Sequence, residues 1–189
     1  MPELYRQFIG KVSTVDEVKS FLATEGKFSI PLDVAGVVKY LGITLDGTPD
    51  FTNMTKLGSI SKSSQGVKLW YNPIENQLET RKRFTIAHEL AHFFLHIATS
   101  EKDAIEDDAI SFNRDDNWDK FEREANQFAA SLLMPTENIF SKSRETIDEY
   151  KREKNVSKMP KENFVLRMSE LFGVSKSAME YRLETLGVL

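Results

Sequence analysis

The segment from Arg83 to His96 constrains this chain most, because it holds all three histidines of the sequence within a helical pattern. At about 100° per residue, its apolar side chains fall on one face of a helix. His88 and His92 lie one turn apart on that helix, so one metal ion can bind both. Glu89 projects beside such an ion, where a carboxylate can act as a general base towards water. This spacing of residue types is typical of a zinc hydrolase.

The composition limits the other ligands that such a site could use. The 189 residues include no cysteine, which excludes a disulfide framework and a thiolate zinc site and leaves His, Asp and Glu. A hydrophobic content of 40% is enough for one well-filled core. The formal net charge of -4 gives no basic footprint, so direct nucleic-acid binding is not expected. The first residues show no signal-peptide pattern and no apolar run has membrane-spanning length, which predicts a cytoplasmic protein without membrane contact.

The five-residue motif is short enough to arise by chance, so the metal interpretation depends on a third ligand elsewhere. Strong helical periodicity returns over residues 118–134. Glu122 and Asn126 lie four residues apart just off its apolar face, and Glu124 flanks the other side of that face. A site with two histidines commonly takes a carboxylate from a second helix. Periodicity alone does not choose between the two glutamates, and Asn126 could hydrogen-bond a ligand from behind.

The remaining pattern predicts a mostly helical α+β fold with a small sheet. A capping box opens a helix over residues 14–26, and a second helix is predicted over residues 31–42, beginning at its proline. Residues 57–61 and 67–71 are predicted to form two strands joined by a turn, and thus a small antiparallel sheet against the histidine helix. Tyr71, at the strand end nearest that helix, could donate a hydrogen bond to an oxyanion or be a core aromatic residue.

The second half of the chain contains two charged stretches between predicted helices. Residues 99–119 are acidic and lack clean periodicity, which predicts a long loop that serves as a lid, a docking surface or a solvated excursion. A charged linker is predicted over residues 151–155. Two helices joined by a short turn follow over residues 159–189, and they resemble a helix-turn-helix. The alternative interpretation is a helical hairpin that packs on the rest of the chain.

Two blocks of this sequence, taken in their order and at their spacing, form a pattern that is specific enough to compare with known families. The first runs from Arg83 to His92 with His96 following, and the second from Glu122 to Pro135. Together they resemble the ImmA/IrrE family of metallopeptidases. Looser matches support the resemblance: residues 30–33 before a helix, the hairpin ahead of the histidine helix, and residues 174–183.

The resemblance implies a zincin-like fold of the thermolysin kind with one bound Zn²⁺ ion, or Mn²⁺ in its place. It implies His88 and His92 as metal ligands and Glu89 as the catalytic residue. Glu122 is assigned as the third ligand, because related sites place Asp or Asn four residues after that glutamate. Glu124 is the alternative.

Other features of the chain follow the family less closely. Ala91 stands where many members have glycine, and no loss of function is expected from it. His96 lies one turn beyond the ligand pair and is rotated away from it around the helix axis, so a supporting or structural role is assigned to it. Many relatives carry an N-terminal DNA-binding domain, for which no room is expected before residue 30. The chain is divided into a metallopeptidase domain, residues 1–152, and a C-terminal helical hairpin, residues 153–189, packed on the same domain.

The function implied by the resemblance is that of a zinc-dependent endopeptidase. Its substrate would be a partner regulatory protein, an XRE-type helix-turn-helix repressor encoded nearby, whose cleavage relieves repression of stress or mobile-element genes. The alternative is a catalytically weak metal-binding regulatory module that acts by protein–protein binding, with the acidic residues 99–119 as its docking surface. A DNA-binding C-terminal helix-turn-helix is a third hypothesis, which the acidic net charge opposes.

Overall fold

The computed structural model describes residues 3–52, 55–99 and 116–189, with side chains from residue 120 onward in the last range. A mostly helical α+β fold, as predicted, is confirmed for these ranges. The strands are β1 (Thr44–Asp46), β2 (Gly58–Ser63) and β3 (Gly66–Tyr71). The helices are α1 (Val15–Thr24), α2 (Val34–Tyr40), α3 (Glu79–His92), α4 (Asp116–Leu133), α5 (Thr136–Lys154), α6 (Lys161–Phe172) and α7 (Lys176–Thr185).

The three strands form one mixed sheet in the order β1-β3-β2. β2 and β3 make the predicted antiparallel hairpin, in which Gly58 pairs with Tyr71 and Ile60 with Leu69. β1 joins the other side of β3 in parallel, so the small sheet is mixed, whereas the sequence predicts an antiparallel one. Alternating polarity reports which face of a strand is buried and carries no information on strand direction. The face that carries Ile60 and Leu69 packs on α3.

Side-chain caps set the start of each N-terminal helix. The predicted capping box of α1 is confirmed, because Thr14 accepts from the backbone N–H of Glu17 while the Glu17 carboxylate accepts from the Thr14 backbone. The start predicted for α2 is wrong: the side chain of Asp33 accepts from the N–H of Gly36 at 2.9 Å and caps the helix there. Pro31 therefore precedes the helix, since the capping hydrogen bond determines the first turn.

Helix α3 continues directly into a π-helical turn, Phe93–Ile97. The N–H of Ala98 donates to the carbonyl of Phe93 at 2.9 Å, which is the wider hydrogen-bond spacing of such a turn. Phe94 is fully buried in this turn and its ring packs on Phe8 and Phe128. The turn therefore anchors the end of the histidine helix in the hydrophobic core.

Helix α5 is longer than the sequence pattern predicts. It continues through Lys154 and ends at Asn155, which has a left-handed φ of 52°. The charged linker predicted over residues 151–155 is therefore wrong. Basic side chains in the last turn of a helix are stabilised by its negative end, and asparagine tolerates the left-handed conformation. A helix end of this kind has the same polar composition as a linker.

Basic side chains of the C-terminal hairpin are bound within the chain. Arg167 on α6 pairs with Glu153 at the end of α5. Lys161 pairs with Glu180 and Glu184 on α7. The Arg167 pair thus joins the hairpin to α5, whereas the Lys161 pairs join its two helices to each other.

Two half-buried arginines join the hairpin to the helices that carry the sequence motifs. Arg83 on α3 donates from Nε to the carbonyl of Gly173 at 2.8 Å and from Nη2 to that of Phe172 at 3.3 Å, at the end of α6. Arg182 on α7 donates from Nε to the carbonyl of Met134 at 3.1 Å, just after α4. Each guanidinium thus satisfies carbonyl groups that a helix end leaves open. The division of the chain at residue 152 stays a prediction.

The acidic loop predicted over residues 99–119 lies mostly outside the described residues, and its last four residues belong to α4. Among the helices of the described ranges, none combines the length and apolar character needed to cross a bilayer.

Candidate metal centre

Helices α3 and α4 pack side by side and bring three polar side chains to one point. His88 and His92 project from successive turns of α3, and their Nε2 atoms lie 3.0 Å apart. Glu122 projects from α4, with one carboxylate oxygen 3.2 Å from Nε2 of His88 and the other 3.2 Å from Nε2 of His92. His92 is buried, whereas the Glu122 side chain is 33% exposed. The cluster is therefore open to solvent on the α4 side.

The spacing and chemistry of these donor atoms fit a small divalent cation. Ligand atoms bound at about 2.1 Å to a tetrahedral Zn²⁺ ion lie about 3.4 Å from one another. The two Nε2 atoms lie 3.0 Å apart and each lies 3.2 Å from its nearer Glu122 oxygen, which is close to this value, and one ligand atom per residue can be chosen with all three within 4.8 Å of one another. Two imidazoles and a carboxylate are also a donor set of catalytic zinc sites, which leave a fourth position open. The cluster could therefore hold Zn²⁺, and its nitrogen and oxygen donors also suit Mn²⁺.

Asn126 supports the cluster from behind, one turn after Glu122 on α4. Its Oδ1 lies 3.1 Å from Nδ1 of His88. With this oxygen as the acceptor, the imidazole proton stays on Nδ1 and the lone pair of Nε2 faces the cluster. The amide thus orients the ring and favours the tautomer that can bind a metal.

The charged groups of the cluster perturb one another. Hydrogen bonds from His88 and then His92 hold the pKa of the Glu122 carboxyl far below its usual range. Burial acts to lower the pKa of His88, but the hydrogen bond to Glu122 and the nearby Glu89 outweigh it, and the pKa is raised on balance. The ionised carboxylate thus favours protonation of the imidazole beside it, and a metal ion would bind in competition with these protons.

Glu89 occupies the space between α3 and the start of β2. Glu89 is only 6% exposed, although glutamate is a charged residue type that is rarely buried. A Cβ atom added at Gly58 would lie 2.7 Å from Oε1 of Glu89, so the missing side chain is what lets the strand approach this carboxylate. Glu89 follows His88 directly on α3 and does not belong to the group of converging ligand atoms.

His96 lies in the π-helical turn and packs beside the ligands. Its ring centre is 5.3 Å from that of His92 and 4.5 Å from that of Phe121. Burial, followed by the nearby His92, lowers the pKa of His96 to about 4. These contacts place His96 beside His92, and its supporting role stays a prediction.

Glu124 is not among the converging ligand atoms. Its carboxylate pairs with Lys120 one turn earlier on α4, at 3.7 Å. Of the two glutamates that periodicity leaves open, the structure therefore brings Glu122 to the histidines.

Tyr71 makes its contacts at the N-terminal half of α3. A Cβ atom added at Gly47 would lie 2.6 Å from the tyrosine hydroxyl, and Nζ of Lys82 lies 5.4 Å from the ring centre. Lys82 is two turns before Glu89 on the helix. This arrangement lends no support to an oxyanion role for Tyr71, because the hydroxyl is directed at the chain after β1.

Sequence reasoning misses three residues on the side of the sheet, of which one lies against Glu89 and the other two share a hydrogen bond one turn before it. They are Gly58, Thr85 and Asn76. Thr85 is 5% exposed and lies one turn before Glu89, so its position on a buried face is a signal that could identify it. No local signal marks the other two, because their contacts join residues far apart in sequence.

The fold and the site define a class of protein, the metallopeptidases that place two histidines and a glutamate on one helix and a further glutamate on a second. Residues 69–184 match the family model of the IrrE N-terminal-like domain, a peptidase family. The match covers more than half of the 189 residues, and the chain belongs to this family. The resemblance inferred from the two sequence blocks is thereby confirmed. A comparison with curated proteins finds no match.

Replacing Asn126 with alanine is expected to weaken Zn²⁺ binding by roughly 10- to 100-fold, because the His88 ring loses the group that orients it. Asn126→Asp should retain the affinity, since a carboxylate accepts the same hydrogen bond. Competition with a chromophoric chelator measures the affinity. Gln127→Ala, the next and exposed residue of α4, is the matched control. An unchanged affinity in Asn126→Ala would remove Asn126 from the site.

Proposed function

We propose that this chain is a zinc-dependent endopeptidase in which His88, His92 and Glu122 hold the ion and Glu89 is the general base. One observation carries the proposal: the Nε2 atoms of His88 and His92 lie 3.0 Å apart, and each lies 3.2 Å from one of the two carboxylate oxygens of Glu122, beside the buried Glu89. The membership of a peptidase family supports it. Zn²⁺ or Mn²⁺ bound by these ligands supplies Lewis acidity for water and for a scissile carbonyl.

Glu89 moves the protons of the proposed reaction. A carboxylate oxygen of Glu89 accepts the proton of the attacking water and then delivers it to the leaving amine nitrogen. Its burial against Gly58 restricts the carboxylate to a small region next to the ligand turn of α3. Asn126 holds the ring of His88 throughout, so the ligand turn does not reorient.

Strand β2 is the element best placed to bind an extended substrate. Among the described residues it pairs on one side only, with β3, and it is therefore an edge of the sheet. Its first residue, Gly58, lies against Glu89. A peptide that pairs with this edge as an added strand passes the general base, which is a known mode of peptide binding. An unfolded or extended protein segment is the substrate that this arrangement suits.

The substrate that we propose is a partner regulatory protein, namely an XRE-type helix-turn-helix repressor encoded nearby, and its cleavage would relieve repression of stress or mobile-element genes. Incubation of the protein and Zn²⁺ or Mn²⁺ with the repressor of the neighbouring gene tests this proposal. Mass spectrometry is expected to find new repressor termini that are absent with Glu89→Gln. An intact repressor that both forms retain in a pull-down would instead support a regulatory module that binds without cleaving.

A further inference from the structure

A buried hydrogen-bond network joins α3 to the start of β2, one turn before Glu89. Thr85 Oγ1 donates to Oδ1 of Asn76 at 2.7 Å. The Asn76 amide nitrogen donates to the carbonyls of Leu57 and Asn72, each at 2.8 Å. Asn76 is 4% exposed, and this network therefore lies in the interior between helix and sheet.

Backbone hydrogen bonds close the same network. The N–H of Asn72 donates to the carbonyl of Leu57 at 2.9 Å, and the N–H of Asn76 donates to that of Asn72 at 3.0 Å. Two donors thus converge on Leu57, the residue just before β2. A buried network with most of its members satisfied is rigid, because each broken bond leaves a polar group without water.

The network determines where β2 begins relative to the general base. Gly58 follows Leu57, and a Cβ atom there would lie 2.8 Å from Cγ2 of Thr85 and 2.7 Å from Oε1 of Glu89. The hydrogen-bonded end of β2 is therefore also the end that touches the carboxylate. The metal ligands lie elsewhere, since His88 and His92 face α4.

We infer that Thr85 and Asn76 are positioning residues, which hold the first residues of β2 against Glu89 and so orient the base towards a peptide on that strand. The inference rests on the proposed function. A general loss of structure would change both the catalytic rate and the affinity for Zn²⁺. The network contacts the base and the substrate strand but not the metal ligands, so its loss should change only the rate. Loss of the network should thus lower kcat and leave the affinity for Zn²⁺ unchanged.

Two substitutions at one position test the network with little change in volume. Thr85→Val removes the hydroxyl and keeps the methyl group that packs on Gly58, whereas Thr85→Ser keeps the hydroxyl. Thr85→Val is expected to lower kcat for repressor cleavage by roughly 10- to 100-fold with little change in KM, because small displacements of a catalytic group have effects of this size. Thr85→Ser should keep most of the activity. Asn76→Ala should resemble Thr85→Val.

Hydrogen exchange provides a readout that does not depend on turnover. In Thr85→Val and Asn76→Ala, backbone amides of residues 57–60 should exchange faster than in the unmodified protein and in Thr85→Ser. All measurements are made below the unfolding transition of each variant. Equal kcat in the Val and Ser variants, or equal exchange at residues 57–60, would overturn the inference. So would a parallel loss of Zn²⁺ affinity, which indicates a purely structural role.

Gly58→Ala tests the other side of the contact, because it keeps every hydrogen-bonding group of the network and adds a methyl group against the Glu89 carboxylate and Cγ2 of Thr85. Acetohydroxamate, a chelator that can hydrogen-bond to the base, is titrated into the Co²⁺-substituted protein and followed by visible absorption. Gly58→Ala and Thr85→Val should both weaken its binding, and Thr85→Ser should not. If the protein cleaves no repressor, the proposed substrate fails, yet this titration and the exchange rates still decide the inference. Unchanged binding in Gly58→Ala and Thr85→Val would overturn it.

Discussion

Glu89→Gln is expected to lower kcat/KM for repressor cleavage by roughly 10²- to 10⁴-fold, the usual contribution of a general base. Glutamine keeps the shape of the side chain beside Gly58 but cannot accept the proton of the attacking water. The affinity for Zn²⁺ should stay unchanged, because Glu89 is not among the converging ligand atoms. Initial cleavage rates and the zinc content per chain are the measurements.

The matched control is Glu124→Gln, which makes the same chemical change on α4 at a carboxylate that pairs with Lys120. Its cleavage rate should equal that of the unmodified protein. A Glu89→Gln variant that cleaves at the normal rate with normal zinc content would remove Glu89 from the mechanism. Loss of zinc from the same variant would show instead that Glu89 holds the ion.

Glu122→Ala is expected to abolish both cleavage and the stabilisation of the fold by Zn²⁺. An ion at about 1,000 times its dissociation constant adds about 4 kcal/mol to the free energy of unfolding. For a chain of this size that corresponds to a rise in Tm of roughly 8 to 16 °C. The unmodified protein should show this rise between EDTA and Zn²⁺ in calorimetry, and the variant should show almost none.

The comparison between EDTA and Zn²⁺ is made within each variant, because Glu122 also accepts hydrogen bonds from both histidines and its loss changes the metal-free protein. Glu124→Ala is the control and should keep the full shift. A variant pattern in which Glu124→Ala loses the shift and Glu122→Ala keeps it would assign the third ligand to Glu124.

The part of the site on α3 could be predicted because helical spacing is local. Two residues four apart on a helix face the same way whatever the rest of the fold, so His88 and His92 follow from the pattern itself. Their partner on α4 depends on how two helices pack, which spacing does not report. The family resemblance favours Glu122, and the structure brings this residue to the histidines while Glu124 pairs with Lys120.

Other features could not be predicted because two local patterns compete or look alike. Pro31 and Asp33 are both good helix starts, and only the hydrogen bond to Gly36 shows which one begins α2. A charged helix end and a charged linker have the same composition. The last turn of α5 could therefore not be distinguished from a linker in the sequence. The contact of Gly58 with Glu89 joins positions on separate elements, and no periodicity within one element can report it.

The arginines that bind the ends of α6 and α4 join the C-terminal hairpin to the two helices that carry the ligand residues. Arg83 lies five residues before His88, and its guanidinium bonds carbonyls that the opening of α6 and α7 would expose. Arg182 on α7 donates to the carbonyl of Met134, at the end of the helix that carries Glu122. Local opening of α6 and α7 therefore breaks these hydrogen bonds and exposes apolar surface of both ligand helices. A fragment that stops before α6 is therefore expected to hold the two ligand helices less firmly, because it lacks these hydrogen-bonding partners.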